Sequence, residues 1–467
     1  MDIKRFLVLG GLVLGVSAAN TAAAEGDSDL KERLDRAETR LAEIEHKQSE
    51  TWLSERRVEE VKTLVHEVLA DADTRASLVE GSTAGHNGEN FFLSSEDGSF
   101  VLNIGGQIQV RHIFNNTDTA GDNDERGFNI ARLQLAFSGQ ISDPRLKYSI
   151  VVEARPDDSE MNAKEAVISY GLTDNVTLWA GETKAPFLRE ELISSSRQLA
   201  VERSVVNEVF TMGYVQGIGV DWSVSDMLRV SSSINDGVRS GENDNNNDAD
   251  LHIGNGQNNL EWDADQSDFA MTTRADVRLM GTWEQGDDFT AGTGEETSVL
   301  LGAAVHYEAA ETGGGNNHDS FVTWTVDGSA ECSGWSVYLA TVGLHIDLDN
   351  DAAGEDLNLY GALAQVGYQL VPDKLEPFVR WEYIDLSDIP ANGADQELQF
   401  VTAGFNWYLS GHAAKITTDV VWAVHSVPGA FPLGVDGDTL DLLGIRGDDS
   451  SDIEDQLSLR VQFQMLF

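Results

Sequence analysis

Residues 457–467 read LSLRVQFQMLF, and their alternation decides the fold. Leu457, Leu459, Val461, Phe463, Met465 and Phe467 fall on one face, and Ser458, Arg460, Gln462 and Gln464 on the other. Side chains of a strand point to opposite sides in turn, so this is a strand with one apolar and one polar face. The same period runs back through the chain. Leu102, Ile104, Ile108 and Val110 oppose Asn103, Gln107, Gln109 and Arg111. Ala131, Leu133, Leu135 and Phe137 alternate with Arg132, Gln134 and Ser138. Leu228, Val230 and Ile234 alternate with Arg229, Ser231 and Ser233, and Ala275, Val277 and Leu279 with Arg274, Asp276 and Arg278.

A soluble sandwich also alternates; three features favour a membrane barrel instead. The strands approach the roughly nine to eleven residues that a tilted membrane strand needs. Aromatic residues stand near strand ends, as in interfacial girdles: Phe114, Tyr170, Trp222, Tyr307, Trp381, Tyr383, Trp407, Tyr408 and Trp422. Connections alternate in length. Short turns occur at 142–144, 173–175, 224–226, 372–374 and 410–411, and long connections near 115–127, 183–211, 236–268, 308–320, 384–396 and 425–455. Short turns belong on the periplasmic side and long loops outside. The pattern predicts an all-β fold, a transmembrane antiparallel barrel of about sixteen strands over 99–467, running from 101–114 to 456–467. The stretch 284–355 is hard to divide. Backbone groups facing lipid cannot stay unpaired, so such a sheet must close on itself.

The rest of the chain fits export. Lys4 and Arg5 precede the apolar run Phe6 to Val16, and Ala22–Ala24 offer small residues for cleavage, so 1–24 reads as a signal peptide. The apolar run is too short to span a membrane. Residues 28–75 read as an α-helical coiled coil: Leu30, Leu34, Ala37, Leu41 and Ile44 form a heptad seam that weakens at Gln48, Thr51 and Glu55 and resumes at Val58, Val61, Val65, Val68 and Leu69. On the barrel topology this helix is periplasmic. Gly81, Ser82, Gly85, Asn87 and Gly88 mark 76–98 as a flexible linker.

Composition excludes several functions. The formal net charge of -48 leaves no basic face for nucleic acid. The mean hydropathy of -0.26 is not that of a helical membrane protein. With Cys332 as the single cysteine, no disulfide can form within the chain and no cysteine-based metal site is expected. The acidic loops 241–250 and 347–356 carry oxygen ligands but lack EF-hand spacing, so they read as solvated loops. No GxSxG or HExxH occurs, so no catalytic set and no cofactor is expected.

The stretch 178–203, LWAGETKAPFLREELISSSRQLAVER, resembles the strand-and-loop signature of the phosphate-selective porin O/P family, on Gly181, Lys184, Pro186, Phe187, Glu190 or Glu191, Ser195 and Glu202-Arg203. Arg132 with LQLAFSG at 133–139, GFNWYL at 404–409 and the final LSLRVQFQMLF also resemble strands of that family. The resemblance covers most of 90–467 and omits the coiled coil. It implies a sixteen-stranded, usually trimeric outer-membrane porin that passes small hydrophilic solutes or anions such as phosphate. It also implies that the loop after the fifth strand folds inward, bringing Lys184, Arg189, Arg197 and Arg203 into the pore among Glu190, Glu191, Glu202 and Glu208.

Alternation places Arg111, Arg132, Lys147, Arg155, Arg229, Arg274, Arg278, Arg380, Lys415 and Arg460 on the lumen face, beside Glu153, Glu165, Asp276, Glu382 and Asp419. The expected pore-lining and anion-binding set is therefore Arg111, Arg132, Lys147, Arg155, Lys184, Arg189, Arg203, Arg229, Arg274, Arg278 and Arg380. The dense run of pore cations expected of a dedicated phosphate channel is missing. Much of the surplus acid lies in loops: 235–268 hold nine acids and one Arg, and 436–455 eight acids and one Arg. Loop charges are screened beyond about 10 Å at 0.1 M salt, while a constriction feels its nearest charges. The expected partners are outer-membrane lipids, the solutes and two further copies of the chain. The alternative reading is a structural anchor whose periplasmic coiled coil contacts the cell wall.

Overall fold

A computed structural model describes residues 36, 38–40, 82–88, 90–117, 124–155, 160–238, 267–310, 318–348, 356–389, 397–427, 443–446, 453 and 456–467. The expected signal peptide, nearly all of the expected coiled coil and most of the two acidic loops lie outside these residues. The chain divides into two units, 1–80 and 81–467, and the second carries the sheet.

A short hairpin, β1 (Ser82–His86) and β2 (Phe91–Ser95), precedes sixteen longer strands. These are β3 (Phe100–Asn116), β4 (Glu125–Ile141), β5 (Asp143–Arg155), β6 (Glu160–Gly171), β7 (Val176–Lys184), β8 (Tyr214–Ser225), β9 (Leu228–Asn235) and β10 (Ser267–Met280). They continue as β11 (Ser298–Ala310), β12 (His318–Cys332), β13 (Trp335–Leu348), β14 (Leu357–Tyr368), β15 (Leu375–Asp385), β16 (Glu397–Ser410), β17 (Ala414–Ala423) and β18 (Leu457–Leu466). From β3 to β18 each strand pairs antiparallel with its chain neighbour, and β18 pairs with β3 from Leu457↔Asn116 to Leu466↔Gln107. The ring of sixteen is closed, so every spanning strand has a partner on both sides.

The hairpin occupies part of the expected linker. β3 extends beyond the end of β18, and β2 covers that overhang by pairing Phe91↔Ile104 through Ser94↔Val101. Without it the low end of β3 would present unpaired donors and acceptors.

In β18 the outward Leu457, Leu459, Val461, Phe463 and Met465 are exposed, and the inward Ser458, Arg460, Gln462 and Gln464 are buried. Trp222, Trp335, Trp381, Trp407 and Trp422 stand exposed on the outer face, as an interfacial girdle requires. Tyr408 does not join them: it follows the outward Trp407, so the pleat turns it inward, where it is buried and its hydroxyl donates to Glu376.

The inner wall has two characters. Phe321, Val342, Leu344, Ile346, Leu359, Ile384, Leu398 and Phe400, on β12 to β16, point inward and are buried in one apolar cluster. In β13 the outward Val337 and Leu339 are exposed and the inward Tyr338 and Val342 buried. A strand covered on both faces loses its apolar–polar alternation, which is why 284–355 is hard to divide from sequence. On β4 to β6 inward side chains such as Arg132, Gln134 and Lys164 remain partly exposed.

Candidate functional site

The loop 185–213 supplies the material that covers the apolar wall. It leaves β7 past Gly181, whose φ of +129° and approach to Ala166 leave no room for a Cβ. Alternation slips there: Trp179 and Glu182, three apart, are both buried. The loop carries two short helices, α1 (Arg189–Leu192) and α2 (Val205–Phe210), with a 3₁₀ turn at Ser195–Arg197 between them. Ser204 caps α2 by accepting from Asn207 N, and is itself held by Glu190. Val205, Val206, Val209 and Phe210 enter the apolar cluster.

A loop inside a barrel must satisfy its backbone there, and polar side chains of the wall do so. Lys415 donates to Gln198 O (2.7 Å), Asn406 to Leu199 O (2.9 Å) and Gln464 to Ser196 O (3.0 Å). Arg380 donates to Glu202 O (2.9 Å) and Arg274 to Phe187 O (2.8 Å). Asp419 accepts from Val201 N and Glu382 from Val205 N. Ion pairs join loop to wall through Glu202 and neutralise the charges on each side of the contact. Arg132 holds both carboxylate oxygens of Glu202 at 2.7 Å, and Arg111 reaches the same group at 2.8 Å. Arg203 pairs with Glu191 (3.1 Å), Arg380 with Glu382 (2.7 Å), Arg274 with Asp276 and Asp327 (2.7 and 2.8 Å), and Arg460 with Asp419 (2.8 Å). Burial pushes the Glu202 carboxyl up, but Arg132 and Arg111 outweigh it and hold the group well below its ordinary value.

The expected cations therefore separate into groups. Arg111, Arg189, Arg203, Arg274 and Arg380 are buried in the docked face. Arg132 and Lys184 are partly exposed, and Lys184 reaches Glu191 (3.5 Å). Lys147 and Arg229 are exposed and Arg278 intermediate. The side chain of Arg155 lies outside the described residues. Facing the loop from β5, β6 and β8 are Glu153, Lys164 and Tyr214; Lys164 pairs with Glu153 (2.8 Å) and lies 5.6 Å over the Tyr214 ring.

At the short-turn end a cavity of about 880 Å³ is lined by Arg189, Arg197, Arg229, Trp283 and Asp287. One of its sides is the connection 281–297, much longer than the other described turns at that end. It folds inward: Phe289 is buried against Tyr338 (ring centres 4.7 Å), Asp288 pairs with His412 (3.3 Å), and Arg189 donates to Gly286 O (3.1 Å). The Arg229 guanidinium stacks 4.2 Å over Trp283. Arg197 was legible as a cation of the inward loop; Trp283 and His412 gave no sequence signal, because an inward turn was not expected at that end.

A closed sixteen-stranded barrel with a loop docked inside is the architecture of a diffusion channel. The chain belongs to the family of phosphate-selective porins O and P, which it matches over residues 102–426. It is an outer-membrane porin, and family and fold alike are those of a channel rather than an enzyme. No curated protein sequence matches it. Among solved structures it is similar to the outer membrane channel DcaP of Acinetobacter baumannii, with 10% identity over 80% of this chain and 99% of that one and a TM-score of 0.50. It is also similar to an anion-selective porin from Comamonas acidovorans (13% identity, 78% and 99% covered, TM-score 0.49). A third is OmpT of Vibrio cholerae in its trimer form (11% identity, 79% and 100% covered, TM-score 0.49).

Proposed function

We propose that this porin is a general diffusion channel for small hydrophilic solutes with a modest preference for anions, rather than a dedicated phosphate channel. The observation that carries this reading is the pairing of the lumen-facing arginines. Arg111, Arg132, Arg274 and Arg380 each hold a carboxylate within 2.8 Å, so their charge is largely neutralised by the wall and the docked loop. A ladder of unpaired cations, which would strip water from phosphate, is not what these residues supply. The cations left to meet a solute are Lys147, Arg197 and Arg229, with Arg278 partly exposed, and they favour anions weakly through water. The path runs between the loop and the β4–β8 wall, then through the short-turn cavity. By analogy with its relatives we read the assembly as a homotrimer in lipid, with 28–75 joining the copies as a coiled coil.

The test is planar-bilayer recording of the purified protein in a KCl gradient, followed by addition of phosphate. Stepwise conductance, a chloride-to-potassium permeability ratio modestly above one, and only weak inhibition by millimolar phosphate are expected. Complete block by micromolar phosphate would overturn the general-channel reading, and absence of conductance would overturn the channel itself.

A further inference from the structure

The docked loop turns almost nothing charged toward water on its upper stretch. From Gln198 to Gly213 every residue is buried except Glu208. The reason is the geometry of α2. Val205, Val206, Val209 and Phe210 bind the apolar wall, and Asn207 is drawn back to Glu191 (3.0 Å). Glu208 alone is left to face the gap. Its carboxylate accepts from its neighbour Asn207 (3.3 Å); no Lys or Arg pairs with it among the described residues. The other acids of the loop do have such partners, Glu190 with Arg380, Glu191 with Arg203 and Glu202 with Arg132; on the facing wall Glu153 has Lys164, and Glu165 accepts from the Ser149 hydroxyl.

We infer that Glu208 is the selectivity-determining residue of the constriction, the one loop carboxylate, among the described residues, that a passing ion meets without a counter-ion already attached. The inference rests on the channel reading above and deepens it. When Glu208 is ionised it cancels part of the preference for anions; when it carries a proton, the surrounding cations act undiminished.

The charged surroundings make this change accessible near neutral pH. Burial, with Glu191 and Glu202 close by, pushes the Glu208 carboxyl up to about 8 against the pull of Arg203 and Arg132. Lys164, Lys184 and Tyr214, with Glu153 and Glu165 on β5 and β6, complete the charged and titratable set around the gap. Below about pH 8 the carboxyl is protonated and anions are favoured; above it the carboxylate forms and the preference declines.

The test is the chloride-to-potassium permeability ratio of the full chain in planar bilayers at pH 6 and pH 9, for wild type and Glu208→Gln. In wild type the ratio should fall at least roughly fourfold on going to the higher pH, since one unit charge about 5 Å away in water changes the weight of a single ion by about that factor. In Glu208→Gln it should stay at the low-pH wild-type value at both pH values, with the conductance step preserved. Glu208→Asp, which keeps the charge, should retain a pH-dependent ratio. A flat wild-type profile would overturn the inference without any variant. So would a Glu208→Gln channel with normal steps and an unaltered profile. Either result leaves the channel reading intact, whereas wild-type protein without steps would sink that reading instead.

Discussion

The two halves of the lumen are built on opposite principles. Along β12 to β16 the inward face is apolar and sealed by α2, with polar wall residues capping the loop backbone. Along β4 to β8 the inward face is polar and partly exposed, and its charges face the gap. The first half behaves as a protein core and the second as a channel wall. The same residue type therefore has different work in each. Arg380 on the sealed side is 2 % exposed, engaged by Glu382 and by the loop carbonyls of Glu202 and Arg203, while Arg229 on the open side stands in water over Trp283. An arginine facing the lumen is not by itself a pore residue.

The largest break in this contrast should come from Glu202. Glu202→Gln leaves Arg111 and Arg132 buried with no carboxylate between them, and breaking a buried ion pair costs about 3–5 kcal/mol. The loop should lose its fixed seat, and single-channel records should change from one clean step to noisy, variable levels. The pH dependence follows the same logic. The folded-state value of Glu202 is depressed, so its contribution is complete above the ordinary carboxylate range and is lost only as pH falls through the depressed value. Clean steps should therefore persist through mildly acidic solution and fail only under strong acid.

A much smaller effect is expected on the open half. Arg229→Ala removes an exposed charge and its stacking on Trp283. Unit conductance and stability should stay near wild type, with stability altered by no more than about 0.5 kcal/mol. The chloride-to-potassium ratio should fall by roughly twofold, as suits a water-screened charge. A destabilised Arg229→Ala barrel would show that this half, too, is packed as a core.

Strand positions were legible in the sequence because lipid on one side and water on the other impose a two-residue period. β18 and β3 occur within a residue or two of where alternation places them. β12 reaches Cys332 within the stretch that alternation divides poorly, because Gly328, Ser329 and Ala330 carry little apolar signal. The small hairpin at 82–95 was hidden by its Gly, Ser and Asn content. The site was legible only in outline. Alternation shows that Arg111, Arg274 and Arg380 face inward. It also sets Glu382 beside Arg380, two residues along the same strand, but it does not show that Glu202 meets Arg111 or that Asp327 meets Arg274, since those partners come from distant parts of the chain. Nor does it show that the connection 281–297 turns back into the barrel, a matter of where Phe289 finds a core to join.

The central claim is that solutes pass along β4–β8 and not along the sealed half. Cysteine accessibility during conductance tests it most directly, in a Cys332→Ser background because Cys332 is exposed. Gln134→Cys lies on the open wall and lines the short-turn cavity, while Thr402→Cys lies on the sealed wall and is wholly buried. A charged, membrane-impermeant thiol reagent should lower the current stepwise at Gln134→Cys and leave Thr402→Cys unchanged. Rapid block at Thr402→Cys with none at Gln134→Cys would place the pathway on the other side of the loop and contradict the account.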